Sequence, residues 1–365
     1  MPEIVKDFVD WLLGPKIYFF LSVIGFWAII QFRAFWTQAW VAGGFFLFVA
    51  VFYGLSLSDH DFTGIVAKPD NVPISIMFVS VGFFLWLSFR KMVINDRLIA
   101  QGLPTFEARE TRRRVYCWPD LVYSEFLCLI LFTVILYVWA WYLKAPLEEA
   151  SNPARTPNPS KAPWYFLGLQ EMLVYFDTWL AGVVFPTQII VGLMAIPFID
   201  INPKGNGYYT FKERKFAIVT FLFGFVVLWC TLIILGTFLR GPNWNFFGPF
   251  AFWDPHKVES LNNVNLSEYF YNRGMGLGLW EKALPANIIL RELPGFAAVA
   301  LYFGALPPLL ANLVFRKLYA QMGFIRFNIM ANLLIFMAAL PIKMVLRWAF
   351  NLKYIVAIPE YFFNI

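Results

Sequence analysis

The sequence predicts an all-α, polytopic membrane protein with about eight transmembrane helices. Three observations carry that prediction. Of the 365 residues, 60% are hydrophobic and only 14% are charged, where an ordinary soluble domain carries about a quarter charged residues. The mean hydropathy is +0.62. Apolar runs long enough to cross a bilayer, about 20 residues each, recur along the whole chain. A core of this length in water could not hide so large an apolar surplus, whereas a lipid-facing surface need not be polar.

The predicted spans, in order, have cores at Ile17 to Ala34, Ala39 to Leu57, Ile74 to Met92, Leu121 to Leu143, Leu180 to Ile199, Phe216 to Leu239, Gly295 to Phe315 and Ile329 to Phe350. The first two are joined so tightly, around Arg33 to Gln38, that they form a helical hairpin or one of them is irregular. Ahead of them, MPEIVKDFVDWLLG is amphipathic and carries Glu3, Lys6 and Asp10. It reads as an interfacial segment and not as a cleaved leader.

Placement of the basic residues gives the expected orientation. Arg33, Arg97, Arg109, Arg112, Arg113, Arg114, Lys204, Lys212, Arg214, Lys215 and Lys317 fall in short loops that eight spans place on one side. Lys and Arg near helix ends are retained on the cytoplasmic side, so that side is predicted to be the inner one. Both termini and the two long loops, 144–178 and 240–293, then face outward, and the net charge of +6 gives no argument for nucleic acid. The first outer loop is proline-rich and turns abruptly into an amphipathic aromatic stretch, as expected of a surface strap before a short helix. The second, opening RGPNWNFFGPFAFWDPHKV, is dense in aromatic residues, glycine and proline.

Few residue types with metal or redox chemistry are available. Cys117, Cys128 and Cys230 are far apart, without C-x-x-C spacing, and read as small apolar side chains. His60 and His256 lie outside the apolar runs and read as solvated loop residues. A haem held between spans needs axial ligands within them, so no cofactor is expected to be ligated by this chain. Lys343 and Arg347 sit one turn apart near the outer end of the last span, where snorkelling to the interface explains them.

The informative stretch is Ala162-Pro163-Trp164-Tyr165-Phe166, followed by Gly168, Gln170, Glu171 and Asp177. It resembles the segment of cytochrome b known by its Pro-Glu-Trp-Tyr motif. The surrounding order agrees: a span, the motif-bearing outer loop, a span with Pro186 and Pro197, a basic inner loop with Asn202, Pro203, Phe211, Lys212 and Arg214, and a further span. The stretch from Pro119 to Leu239 is thus similar to the C-terminal part of cytochrome b, which some complexes encode separately as subunit IV. The resemblance divides the chain into an N-terminal extension of about three helices (1–118), a subunit IV-like core (119–240) and an outer aromatic loop with two further helices (241–365).

The resemblance implies a membrane subunit of a cytochrome bc- or b/f-type quinol:cytochrome c oxidoreductase in a prokaryotic inner membrane. It would line the outer quinol-oxidation pocket with Ala162, Pro163, Trp164, Tyr165 and Phe166. Haem b would belong to a b6-like cytochrome b partner, and the Rieske [2Fe-2S] cluster to another. A c-type cytochrome subunit, lipids and a dimeric complex complete the expected partners. One departure bears on mechanism: Pro163 stands where the family usually has glutamate, and Ala162 at the preceding proline. The proton-accepting group is then expected among Glu171, partly desolvated with a raised pKa, Tyr165 and Asp177. The resemblance to relatives with other residues there also suggests menaquinol.

Simpler readings stand beside each assignment. Trp164 and Tyr165 could be interfacial anchors, Glu171 could cap or pair with Lys161, and Asp177 could be a helix N-cap. Loss of the motif glutamate also fits a non-redox structural or assembly subunit that keeps only the fold. A transporter would need polar groups at mid-membrane, and the spans carry few.

Overall fold

The computed structural model describes residues 1–110, 115–143, 150–204, 207–274 and 284–365. Arg112, Arg113 and Arg114, and the first six residues of the 144–178 loop, fall outside them.

Among the described residues, seven helices are long and apolar enough to span: Ala39–Ser56, Val72–Ala100, Cys117–Tyr142, Leu180–Ile199, Lys215–Leu239, Leu293–Val314 and Arg316–Phe350. An eighth forms if Glu3–Leu12 and Pro15–Gln31, bent by 77°, count as one broken span. The tight first connection is made by the single-turn helix Arg33–Trp36. The last helical segment, Arg316–Phe350, is two helices and not one. It begins at Arg316 and is broken at Gly323, where φ is +76°, a conformation that glycine adopts without steric cost. Asn351, also left-handed, ends it. Pro197, Pro307, Pro308 and Pro341 lie inside helices, which spanning segments tolerate because neighbours re-satisfy the freed carbonyls.

The chain separates into two compact units that interleave in sequence: Met1–Ser160 with Gly205–Val227 and Thr237–Lys257, and Lys161–Lys204 with Leu228–Gly236 and Val258–Ile365.

In the first unit, three segments lock together at one end. Asp10 on Glu3–Leu12 accepts the Phe250 amide (3.0 Å) of the aromatic loop. Lys6 reaches Asp59 at 2.8 Å, holding that carboxyl below its usual range. Asp59 in turn caps the short helix His60–Val66 by accepting from the amides of Asp61 and Phe62. Phe62, Val66 and Phe250 form the core beneath, with the rings of Phe62 and Phe250 stacked at 5.2 Å. His60 is therefore the exposed first residue of a helix and not a loop residue; His256 is exposed in a loop. Asn158 and Asn243 exchange two hydrogen bonds (2.9 and 2.6 Å) and tie the proline-rich stretch to the aromatic loop.

Near the C-terminal end of Val72–Ala100 lies a polar knot. Asp96 accepts from the Thr210 hydroxyl (2.7 Å) and from the amides of Phe211 and Lys212 (3.2 Å each). Asn95 donates to Glu107 (2.7 Å) and the Tyr209 carbonyl (2.8 Å) and accepts from the Phe106 amide (2.9 Å). Buried polar groups persist only when paired this way. Arg33 stacks over the Phe211 ring and Lys91 over that of Tyr209, finishing the attachment of the basic loop.

In the second unit, Ala311, Met322, Phe327, Met330 and Ala331 form one core, against which Ile199 and Leu310 pack. Phe336 joins Leu180–Ile199 and Leu293–Val314 through ring contacts with Phe185 (6.4 Å) and Phe303 (4.8 Å). Beyond the last helix, a two-stranded antiparallel ribbon pairs Ala357 with Asn364 and Ile358 with Phe363. Glu292 fastens it by accepting the Ala357 amide at 2.9 Å.

Candidate functional site

The strap is a helix, Trp164–Met172, entered from an extended Pro163. Proline fits there because the first helical N–H groups have no intrahelical partner to lose. Ala162 donates its amide to the Gln170 side chain at 2.8 Å, which folds the strap back along its own helix.

The helix has two unlike faces. Leu167, Gly168, Glu171 and Met172 are buried, while Trp164, Tyr165 and Phe166 are 37%, 53% and 51% exposed. The buried face meets the helical stretch Leu228–Gly236 through two glycines. A Cβ on Gly168 would stand 3.3 Å from the Trp229 ring, and one on Gly236 would stand 3.0 Å from the Leu167 carbonyl and 3.6 Å from Glu171 Cβ. Small residues at facing positions let two backbones approach closely. They also explain a difference from expectation: Glu171, predicted to be partly desolvated, is wholly buried.

At about 100° per residue, Glu171 points about 120–140° away from Tyr165 and Phe166 and lies on the side of Trp164. The structure thus brings the three aromatic residues together, with successive ring centroids at 5.8 and 4.7 Å. It places the Glu171 carboxylate on the side of Trp164, away from Tyr165 and Phe166.

Past the helix, the chain turns through Leu173 to Phe176 and reaches Asp177. The Asp177 carbonyl accepts from the Ala181 amide at 3.0 Å, as an N-cap residue's does. Its carboxylate instead accepts from Asn364 Nδ2 at 3.1 Å.

The residues that sequence reasoning missed belong to the segment after the last span. Lys353 Nζ donates to the carbonyls of Leu173 (3.3 Å) and Val174 (3.5 Å), a cation where the strap helix leaves its last carbonyls. Burial holds the Lys353 ammonium below the ordinary lysine range, Arg347 acting with it and Asp177 against it. Trp179 Nε1 donates to the Asn364 carbonyl at 2.8 Å, and its ring stacks on Phe363 at 5.1 Å. Lys343 also departs from expectation. Its ammonium does not reach an open interface but is buried, donating to the Lys353 carbonyl at 2.6 Å and lying 5.6 Å over Phe176. Arg347 donates to the Asn351 carbonyl at 3.3 Å, near its helix end. The only signal for this set was a polar and aromatic run after an apolar helix, which carries no information about where it docks.

Among the described residues, no three His, Cys, Asp or Glu side chains are placed to hold a metal ion.

No solved structure matches the chain. Residues 150–251, a little over a quarter of the sequence, match the family model described as Cytochrome b(C-terminal)/b6/petD. That stretch holds the strap, the span after it, the basic loop and the helix that buries Glu171. The strap-bearing segment is therefore similar to the cytochrome b C-terminal, subunit IV-like family, and that similarity, with apolar helices long enough to span a membrane, supports a multi-pass membrane subunit of a cytochrome bc- or b6f-type complex.

Proposed function

We infer that the strap forms one wall of a quinol-oxidation pocket on the outer side of a prokaryotic inner membrane. The observation that carries this reading is the two-faced strap helix inside the family segment. One face is anchored by facing glycines, and the other presents the half-exposed rings of Tyr165 and Phe166, with the less exposed Trp164 ring above the anchored face at the start of the helix. Flat rings held by a fixed backbone suit an isoprenoid quinol, which needs apolar walls and few polar groups. Menaquinol is the quinol we assign, on the replacement of the motif glutamate by Pro163.

Quinol oxidation releases two electrons and two protons. Haem b and a Rieske [2Fe-2S] cluster, both held by partner subunits, supply the electron-accepting chemistry, and a c-type cytochrome follows. This chain's part is to position the ring and take up a proton. Tyr165, on the presented face, is the group placed to meet a quinol hydroxyl. Glu171 lies behind that face and Asp177 at the mouth of the next span, so either acts as a subsequent acceptor.

The experiment is quinol:cytochrome c turnover, with outer-site inhibitor binding, in the assembled complex carrying Trp164→Ala, Tyr165→Phe or Glu171→Gln. Loss of a proton-accepting group predicts a fall of about a hundredfold. Unchanged turnover together with unchanged inhibitor binding in all three would overturn the reading. That result would favour a structural subunit, which the loss of the motif glutamate also fits.

A further inference from the structure

Within the first unit, the turn after Pro15–Gln31 and the span Val72–Ala100 line a cleft of about 270 Å³. Thr37 and Gln38 of the turn face Arg90 and Arg97 of Val72–Ala100 across it, and Val93 and Ile94 provide apolar lining. Arg90 spends one donor on the Thr37 carbonyl (3.1 Å) and lies 5.5 Å over the Trp86 ring. That fixes its planar head at the cleft. Arg97 is exposed, and neither arginine is in an ion pair among the described residues. The neighbouring carboxylate, Asp96, is committed to Thr210, Phe211 and Lys212. Two arginines, each offering up to five N–H donors, thus line one cleft.

The depth of the cleft identifies what can reach it. The helix Val72–Ala100 has 29 residues, about 43 Å at 1.5 Å per residue, against a hydrocarbon core of about 30 Å. A core that begins near Val72 ends near Met92, so Arg97 extends into the headgroup layer and Arg90 stands at its edge. Phe32, Phe35 and Trp40 on the adjoining turn are exposed, as expected of aromatic side chains at that boundary.

We propose that this cleft binds a phosphate anion in the fork of Arg90 and Arg97, and that the headgroup phosphodiester of an anionic phospholipid supplies it. Guanidinium matches phosphate oxygens in a bidentate manner. The apolar lining and exposed rings accommodate the first carbons of the acyl chains, which a free phosphate does not need. Basic clefts between spans at a membrane surface are suited to such headgroups.

The test is native mass spectrometry of the full-length chain extracted from membranes and supplemented with phosphatidylglycerol. The wild type is expected to retain the lipid, and the Arg90→Gln/Arg97→Gln double variant to lose about fivefold or more of that occupancy. Failure of millimolar inorganic phosphate to displace the lipid would identify the phospholipid as source; displacement would identify a free anion in the same fork. Because Arg90 also supports the turn, Arg97→Gln alone is the second variant, with at least a twofold loss expected. A photoactivatable phosphatidylglycerol on the unaltered chain should label 34–39 and 90–97. Equal lipid retention by wild type and both variants, or labelling spread evenly over the spans, would overturn the proposal.

Discussion

The basic loop at 209–212 and the aromatic strap at 162–172 both lie between spans, but they are held by opposite means. The loop is saturated: Asp96 and Asn95 satisfy its hydroxyl, amides and carbonyl, and two cations cover its rings. The strap is anchored on one side only, by close backbone packing at Gly168 and Gly236 and by Lys353 at its C-terminal end. Its Tyr165 and Phe166 rings are half exposed. The loop is closed within the chain, and the strap is covered on one side.

Breaking the saturated loop should give the largest effect on stability. Asp96→Ala strands the buried Thr210 hydroxyl and Phe211 amide and the part-buried Lys212 amide, and is expected to cost about 3 kcal/mol. Asp96→Asn keeps an acceptor and should cost about 1 kcal/mol. Thermal unfolding of the purified chain measures both, and equal melting temperatures would show that the loop is not held by this carboxylate.

Next in size, Gly168→Leu drives a side chain into Trp229 and Ile233 and should cost about 2 kcal/mol through overpacking. In the complex it should also lower turnover by displacing the wall. Tyr165→Phe acts on the open face, so its expected stability change is within about 0.5 kcal/mol. Its turnover should nonetheless fall, and a loss of stability with unaltered turnover would reverse the assignment of the two faces.

The smallest effect is a pH dependence. Hydrogen bonds from Arg291 hold the Glu360 carboxyl down from 4.5 to about 2. A depressed carboxyl contributes stability that is fully present above the unfolded value and lost as pH falls through the folded one. The difference in melting temperature between wild type and Glu360→Gln should thus be present at pH 5 and shrink toward pH 2. A difference independent of pH would assign it to packing.

The spans were legible because membrane insertion writes itself locally. Leu180 to Ile199 was readable to the residue, and Ala39 to Leu57 ends one residue later than the helix Ala39–Ser56. The strap was legible as a motif, and its short helix as a proline-to-aromatic transition. What holds either region was not. Asp96 and Thr210 are separated by 114 positions, and Asp177 and Asn364 by 187, with no pattern linking them. A neighbouring Asn95-Asp96 pair at the end of an apolar helix hints at a polar anchor without naming its partner. Glu171 was visible as a carboxylate in an apolar segment, but its full burial depends on two glycines, one of them 65 positions away.

The helix Cys117–Tyr142 has none of its spanning window buried within the chain, and Ser124 and Glu125 in its first turns are exposed. A carboxylate facing hydrocarbon is costly, so the newly inserted polypeptide carries a penalty that only assembly relieves. Its cellular level should follow the supply of the other subunits, with surplus copies cleared by membrane proteases.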